Sequence, residues 1–390
     1  MRSIFLFFKR HRFIGAFLLI LLILVLVLPL TVLLIQQKAG GTIQGLGTPS
    51  TSPSSTPSAP SPSTPLTSYP ANIDFETGGY GMYHHAALTN PTIGGVDINL
   101  NWVAVEPQQG KFQFGPLDKE IAAWANHGKK YILIIRYVSE EGTTTGDCSG
   151  TQLLPGWEIA RIPHFCDRDL GTIIPDYFDP TFQSDVQAFV KAIANHVAQS
   201  RYKDQLSYVR VGVGLAGEGF FLTYQQPHFD NYKSQLVSWG YSPTAWKIWQ
   251  EQMMSNYKSV FSYTTVIYPI VQLDTDPTTN MPVQMEVAYW AAAQGIGVGE
   301  QGLVPDYPSN YAEIKTILTY IQSNYPNTYI QFQTVSDISG EDAIQGDIQT
   351  AYQLGARSIE WYGKDAVNQS YQSDFQQWQQ MVDKKYGTNG

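Results

Sequence analysis

The chain has 390 residues, with 24 Lys and Arg against 33 Asp and Glu, a net charge of −9. Arg2, Lys9, Arg10, Arg12 and Lys38 give residues 1–38 a charge of +5, so the rest, with nineteen bases against all 33 acids, carries −14. An acidic body with no basic face excludes nucleic acid as a partner; an aromatic content of 13% excludes a disordered chain; two cysteines exclude a disulfide-dense scaffold or a Cys-rich zinc module.

A basic N-terminus, 1–12, precedes Phe13–Ile35, which are 23 residues without a charge. At 1.5 Å per residue this run spans about 30 Å of hydrocarbon, and Pro29 is tolerated in a membrane helix. It is too long for a signal-peptide core, and no small-residue cleavage site ends it. The expectation is a single transmembrane anchor at 13–35, with the basic end cytoplasmic and the body outside the cytoplasm at the cell membrane. Residues 36–70 follow as a Ser/Thr/Pro-rich linker; Gly40–Pro70 has no charge and cannot bury a core.

Residues 71–390 alternate apolar strand-like runs with amphipathic helical runs. A weak first strand is expected at 78–84 and a second at 95–105, followed by a helix over 117–128 that stops on Gly128. The near-continuous apolar run 131–138 suits a strand covered on both faces. Strands are expected again at 206–218, 264–273, 296–303, 329–336 and 356–363. Helices separate them at 180–199, 244–260, 282–294, 311–325 and 341–355, with a last one at 371–386. Eight strands with alternating helices fit a (β/α)8 TIM barrel. The doubly wound sheet is the rival, but no G-x-G-x-x-G follows the first strand. Cys148 and Cys166 fall 18 residues apart in one loop outside the membrane, where a disulfide is expected; two buried thiols are the alternative.

A barrel of this kind carries its active site at the C-terminal ends of its strands. Those ends bring His84, Asn101 with Trp102, Arg136 with Tyr137, Glu218, Glu300, Gln333 through Asp337, and Glu360 with Trp361 and Tyr362. Carboxylates, amides and aromatic rings at one mouth suit a sugar, because rings cover its apolar face and polar groups bind its hydroxyls. Glu218 stands out, ending an apolar run between glycines in GLAGEG, which allow a ligand to approach the backbone. A carboxyl in a partly dry mouth has its pKa raised and can act as a general acid. Glu300 in GVGEQG sits similarly. Glu360 could point into the barrel or pair with Arg136, and Asp337 could equally cap the next helix. His84-His85 belongs to no metal-binding spacing, and no G-x-S-x-G or phosphate-loop pattern occurs, so neither a metal nor another cofactor is expected.

The segment GGVDINLNWVAVEPQQGKFQFGPLDKEIAAWANHGKKYILII resembles the W-x-x-x-E-P-x-x-G-x-[FY]-x-[FW]-x-x-L-D stretch of clan A glycoside hydrolases, and is most similar to barrels like the family 42 β-galactosidases. The resemblance implies a Glu general acid/base ending the fourth strand and a Glu nucleophile ending the seventh. Glu218 matches the first position, although Gly217 replaces the usual Asn before it. The seventh strand carries Gln333 where a Glu is expected.

Together these readings give a membrane-anchored, extracytoplasmic glycoside hydrolase acting on an O-glycosidic bond, with retention expected over inversion. Glu218 is its acid, and Glu300, then Glu360 or Asp337, supplies the second carboxylate. Asn101, Trp102, Arg136, Tyr137, Trp361, Tyr362 and His84 line the sugar. The alternative, prompted by Gln333, is a carbohydrate-binding barrel without turnover.

Overall fold

The computed structural model describes residues 73–76, 83–139, 147–150, 152–222, 226–271, 275–276, 279–305, 312–334 and 341–387. The anchor 13–35 and the linker 36–70 lie outside these residues. Among the described residues no helix is long and apolar enough to cross a membrane. Every described residue belongs to one unit, 62–390.

Eight strands pair in parallel around a closed barrel in chain order: β1 (Ile73–Glu76), β2 (Gly95–Asn101), β3 (Lys130–Arg136), β4 (Leu206–Arg210), β5 (Thr265–Ile270), β6 (Gly297–Leu303), β7 (Ile330–Thr334) and β8 (Ser358–Tyr362). Pairing of β1 with both β8 and β2 closes the ring. The intervening helices are α1 (His84–Thr89), α2 (Gly115–Ala125), α3 (Pro180–Ala198), α4 (Pro243–Val260), α5 (Val283–Ala293), α6 (Ala312–Asn324), α7 (Glu341–Gln353) and α8 (Gln372–Tyr386). This is a (β/α)8 arrangement, as the alternation of runs predicts.

Side-chain alternation sorts each strand into two faces. On β3, Tyr131, Leu133 and Ile135 join the large layer between strands and helices, while Ile132 and Ile134 face inward. Ile132, Ile134, Tyr208, Ile267 and Tyr329 form the apolar interior of the barrel. The outer layer is sealed by apolar stripes such as Leu117, Ile121 and Trp124 on α2, and Phe182, Val186, Phe189, Val190, Ile193 and Val197 on α3. Helix starts follow capping rules: Asp179 accepts from the Thr181 and Phe182 amides at α3, and Ser242 from the Ala245 amide at α4.

Three elements depart from the sequence expectation. A barrel strand lies at Ile73–Glu76, ahead of the expected 78–84; of that range 78–82 lie outside the described residues, and His84 opens α1. Ile73-Asp74-Phe75-Glu76 alternates apolar and acidic residues, the period of a strand, and runs along β8. The second strand ends at Asn101, and Trp102–Val105 turn helical. The fourth ends at Arg210; the glycine-rich remainder folds back on itself and pairs again at a parallel bridge between Leu215 and Val138.

The Cys148–Cys166 disulfide is formed, with Cα atoms 5.9 Å apart. Cys166 lies on a small hairpin, His164–Asp167 with Thr172–Pro175, inserted between β3 and α3. Phe165 of this hairpin stacks on Tyr232 of an additional helix, Gln226–Ser238.

Candidate active site

Arg210 is the centre of the inward-facing polar groups. Its guanidinium donates to the Gln301 Oε1 at 2.5 Å and the Gln333 Oε1 at 3.0 Å, and lies 3.7 Å from a Glu360 carboxylate oxygen. Gln331 reaches the same Glu360 oxygen at 3.5 Å, and Asn99 donates to Asp97 at 3.1 Å on the facing strand. Strands β2, β4, β6, β7 and β8 thus each contribute a polar side chain above the apolar interior.

Glu360 is 1% exposed, and its second oxygen has no hydrogen-bond partner among the described residues. Burial pushes its pKa up to about 8; the charges of Asp97 and Glu218 act in the same sense, while Arg210 opposes them. Burial prevails because removing a carboxylate from water costs more than one cation returns. The carboxyl therefore tends to hold a proton at neutral pH. Arg210 feels both Glu360 and Glu218, so the three belong to one electrostatic unit.

Glu218 sits, half-buried, in a tight turn beyond β4. The Gly214 amide donates to the Glu218 carbonyl at 2.8 Å, the Glu218 amide to Leu215 at 2.9 Å, and the Leu215 amide to Phe220 at 2.7 Å. Ala216 and Gly217 take positive φ, 57° and 78°, to make this reversal. The turn is wedged between two strand ends. A Cβ on Gly217 would come within 3.2 Å of the Arg136 side chain, and one on Gly219 within 2.7 Å of Val271. Asn101 stands beside Arg136 in the β2–β3 register, and buried polar atoms of both, Oδ1 and Nε, lack hydrogen-bond partners among the described residues. Tyr362, half-buried, ends β8 two residues beyond Glu360 on the same face.

Other expected site residues lie elsewhere. Glu300 pairs in register with Ile270 and Phe332, both in the outer layer, so it faces the helices, and its neighbours Gly299 and Gln301 face inward. This is a correction: the residue foremost as second carboxylate is on the wrong side of the strand. Trp102, Tyr137 and Trp361 are sealed in the outer layer. Trp102 stacks on Phe189 at 5.0 Å and donates to Glu106 at 2.8 Å. Tyr137 donates to the Gly212 carbonyl at 3.0 Å, and Trp361 packs on Phe375 at 5.1 Å. His84 meets Glu120 at 3.2 Å and the edge of Trp124, which places it against α2. These four do not line the mouth. Asp337 lies outside the described residues.

Sequence reading missed Arg210, although a charged residue inside the apolar run LSYVRVGVG signals a buried polar partner. It also missed Gln331 and Asp97, while Gln301 reads only as the neighbour of Glu300 at the end of the sixth strand. Among the described residues no group of three or more His, Cys, Asp or Glu is placed to hold a metal ion.

No family model and no curated protein matches this sequence. Solved structures are similar to it in fold. The catalytic domain of a β-amylase from Paenibacillus polymyxa superposes with a TM-score of 0.56 at 11% identity, over 81% of this chain and 99% of that one. The native xylanase 10B from Thermotoga maritima gives 0.44 at 13% identity, over 75% and 83%. The endo-glycoceramidase II from Rhodococcus sp. gives 0.42 at 11%, over 76% and 74%. The likeness to the β-amylase is one of fold. Its whole catalytic domain is spanned.

Proposed function

We propose that this chain is a glycoside hydrolase, held at the cell surface by the 13–35 segment with its barrel outside the cytoplasm. The observation that carries this reading is the placement of Glu218. It follows a glycine turn beyond the C-terminal end of β4, next to the Gly217 that packs against Arg136, and its charge acts on Arg210 and Glu360. The β-amylase fold likeness and the clan A-like segment around Trp102 support a carbohydrate substrate. The disulfide supports an oxidising compartment.

In this reading Glu218 protonates the leaving glycosidic oxygen. Asn101, Arg136 and Tyr362 bind hydroxyls. Glu360 is sealed beneath and locked to Arg210, so it acts as a positioning residue for the mouth and not on the sugar itself. The second carboxylate is then Asp337, three residues beyond the end of β7. If the two carboxyl groups stand about 5–5.5 Å apart, Asp337 attacks C1 with retention, as the clan resemblance leads us to expect; about 6.5–9.5 Å leaves room for water and gives inversion.

The test is hydrolysis of aryl glycosides and neutral polysaccharides by the full chain in detergent, beside Glu218→Gln and Asp337→Asn. Turnover in the wild type with a loss of about 10²–10⁴-fold in each variant supports the assignment. Proton NMR of the first product gives its anomeric configuration. Turnover unchanged in Glu218→Gln discards the site. No turnover by any form, with sugar binding retained, selects the second reading, a binding barrel. Gln333 favours that reading, because an amide held by Arg210 occupies β7 where a carboxylate is expected.

A further inference from the structure

Outside the barrel wall, the loop after β2 and the solvent side of α3 enclose a cavity of about 360 Å³, within the size range of small-molecule sites. Phe112, Trp157, Gln109, Asp185, Lys191 and Asn195 contribute to its lining. It is separate from the candidate active site: Asp185, Lys191 and Asn195 lie on the side of α3 away from its buried stripe, whereas Arg210 and Glu360 face the barrel interior.

The rings are held in place, and Phe112 keeps part of its surface open. Phe112 is 37% exposed, yet it stacks on Phe114 at 5.6 Å and 2°, and Phe114 in turn stacks on His196 of α3 at 3.9 Å and 10°. His196 is fixed by Asp118 at 2.7 Å. The loop bearing Phe112 is tied down by three hydrogen bonds: the Gly110 amide to Glu106 Oε1 at 2.7 Å, the Lys111 amide to Gln108 at 2.9 Å, and the Gln113 amide to Val105 at 2.7 Å. Trp157 donates to the Glu106 carbonyl at 3.0 Å, and Arg161 covers its ring. Arg161 also clamps Asp185 at 2.6 Å, which fixes that carboxylate at the cavity wall.

Phe112 keeps more than a third of its surface free after stacking on Phe114, so part of the ring remains open to a ligand. Ringed by one amide-bearing side chain from the loop and by an acid, an amide and an amine from α3, it matches a pyranose: CH groups for the ring face, hydroxyls for the donors and acceptors around it. Asp185 and Glu106 outnumber Lys191 on a wall that is otherwise mostly apolar, which disfavours an anionic ligand and leaves an apolar face for a sugar ring.

We infer that this flank cavity is a second carbohydrate site, taking a unit of a neutral polysaccharide stacked on Phe112 and hydrogen-bonded by Asn195, Lys191 and Asp185. It rests on the carbohydrate reading of the chain but not on turnover. Such a site would hold the barrel against an extended polymer while the mouth works on a chain end or an internal bond.

The experiment is affinity electrophoresis of the full chain in detergent through gels containing starch, xylan, mannan or, as the acidic comparison, pectin. Wild type and Glu218→Gln should be retarded equally by at least one neutral polymer. Phe112→Ala and Asn195→Ala should each weaken that retardation about fivefold. Phe112→Ala should lower the melting temperature by no more than a few degrees, the loss of one aromatic stack, and leave any hydrolysis of a small aryl glycoside unchanged. Wild-type retardation in both variants, retardation by pectin alone, or no retardation in any gel overturns the inference. Retardation that depends on Phe112, in a protein that cleaves no glycoside, retains this site and discards the hydrolase. Hydrolysis without such retardation does the reverse.

Discussion

Arg210 and Glu360 approach to 3.7 Å inside the barrel, with side chains 7% and 1% exposed. The pair is unequal, because Arg210 has two amide acceptors besides Glu360, whereas burial drives the carboxyl toward its neutral form. Replacing Arg210 by Met removes the donor that Gln301 and Gln333 share. The cost should be about 3 kcal/mol, the low end for breaking a buried pair, since Glu360 can shed its charge by keeping a proton. Arg210→Lys keeps the charge without the planar fork and should fall between wild type and Met. Urea denaturation of the three proteins checks the order; equal midpoints would show that the network contributes no stability.

Among the described residues the carboxyls pushed furthest up are Glu158, Asp347 and Glu360, and they dominate the pH dependence of stability. Burial pushes Glu158 up to about 8, with Asp185 adding to it; burial and the charge of Asp365 do the same for Asp347; Glu360 follows for the reasons above. In the unfolded chain these groups lose their protons near pH 4. Between about pH 4 and 8 the folded state therefore binds more protons than the unfolded one, and stability falls as pH rises. Each group contributes a slope of at most about 1.4 kcal/mol per pH unit. The melting temperature should be higher at pH 5 than at pH 8. Asp347→Asn, on α7 and away from the mouth, should flatten that slope. Differential scanning calorimetry at one-unit steps reads it, and parallel curves for wild type and variant would contradict the assignment to Asp347.

The fold was legible in the sequence because strands buried on both faces read as apolar runs and amphipathic helices interrupt them at regular intervals. The faces of those strands were less legible. Asn101 and Trp102 are adjacent, as are Arg136 and Tyr137, and Glu360 and Trp361. In each pair one residue faces the barrel interior or mouth and the other the helices, so proximity to a strand end does not select both. In β6 the inward positions are Gly297, Gly299 and Gln301, and glycines carry no side chain to show the period. This is why Glu300 read as a site residue. Arg210 was hidden for the opposite reason: it interrupts an apolar run that was read for its apolar residues.

Trp102 gives a direct test of that distinction. It is fully buried, stacked on Phe189, and its indole N–H is taken by Glu106. Trp102→Ala should cost about 3–5 kcal/mol, the usual range for emptying a large aromatic site. A sugar platform would behave otherwise, losing ligand affinity with stability intact. Chemical denaturation beside sugar binding separates the two, and wild-type stability in Trp102→Ala would return this residue to the mouth.

The turn that presents Glu218 has no room for a side chain at Gly214. A Cβ there would overlap the Phe220 carbonyl oxygen, which accepts from the Leu215 amide, while the Gly214 amide itself holds the Glu218 carbonyl. Gly214→Ala must therefore open the hydrogen bonds that define the turn. The expected stability loss is about 1–3 kcal/mol, the range for overpacking a filled site. Activity should fall further than stability does, because the misplaced group is the general acid and a displacement of about 1 Å can cost 10²-fold. Gly115→Ala is the control: it opens α2 with nothing within 4 Å of its would-be Cβ, and should be neutral or slightly stabilising. Glycoside turnover and urea midpoints for the two variants decide the matter. If Gly214→Ala loses stability yet turns over normally well below its melting temperature, the position of Glu218 does not limit the reaction, and its role as acid falls with it.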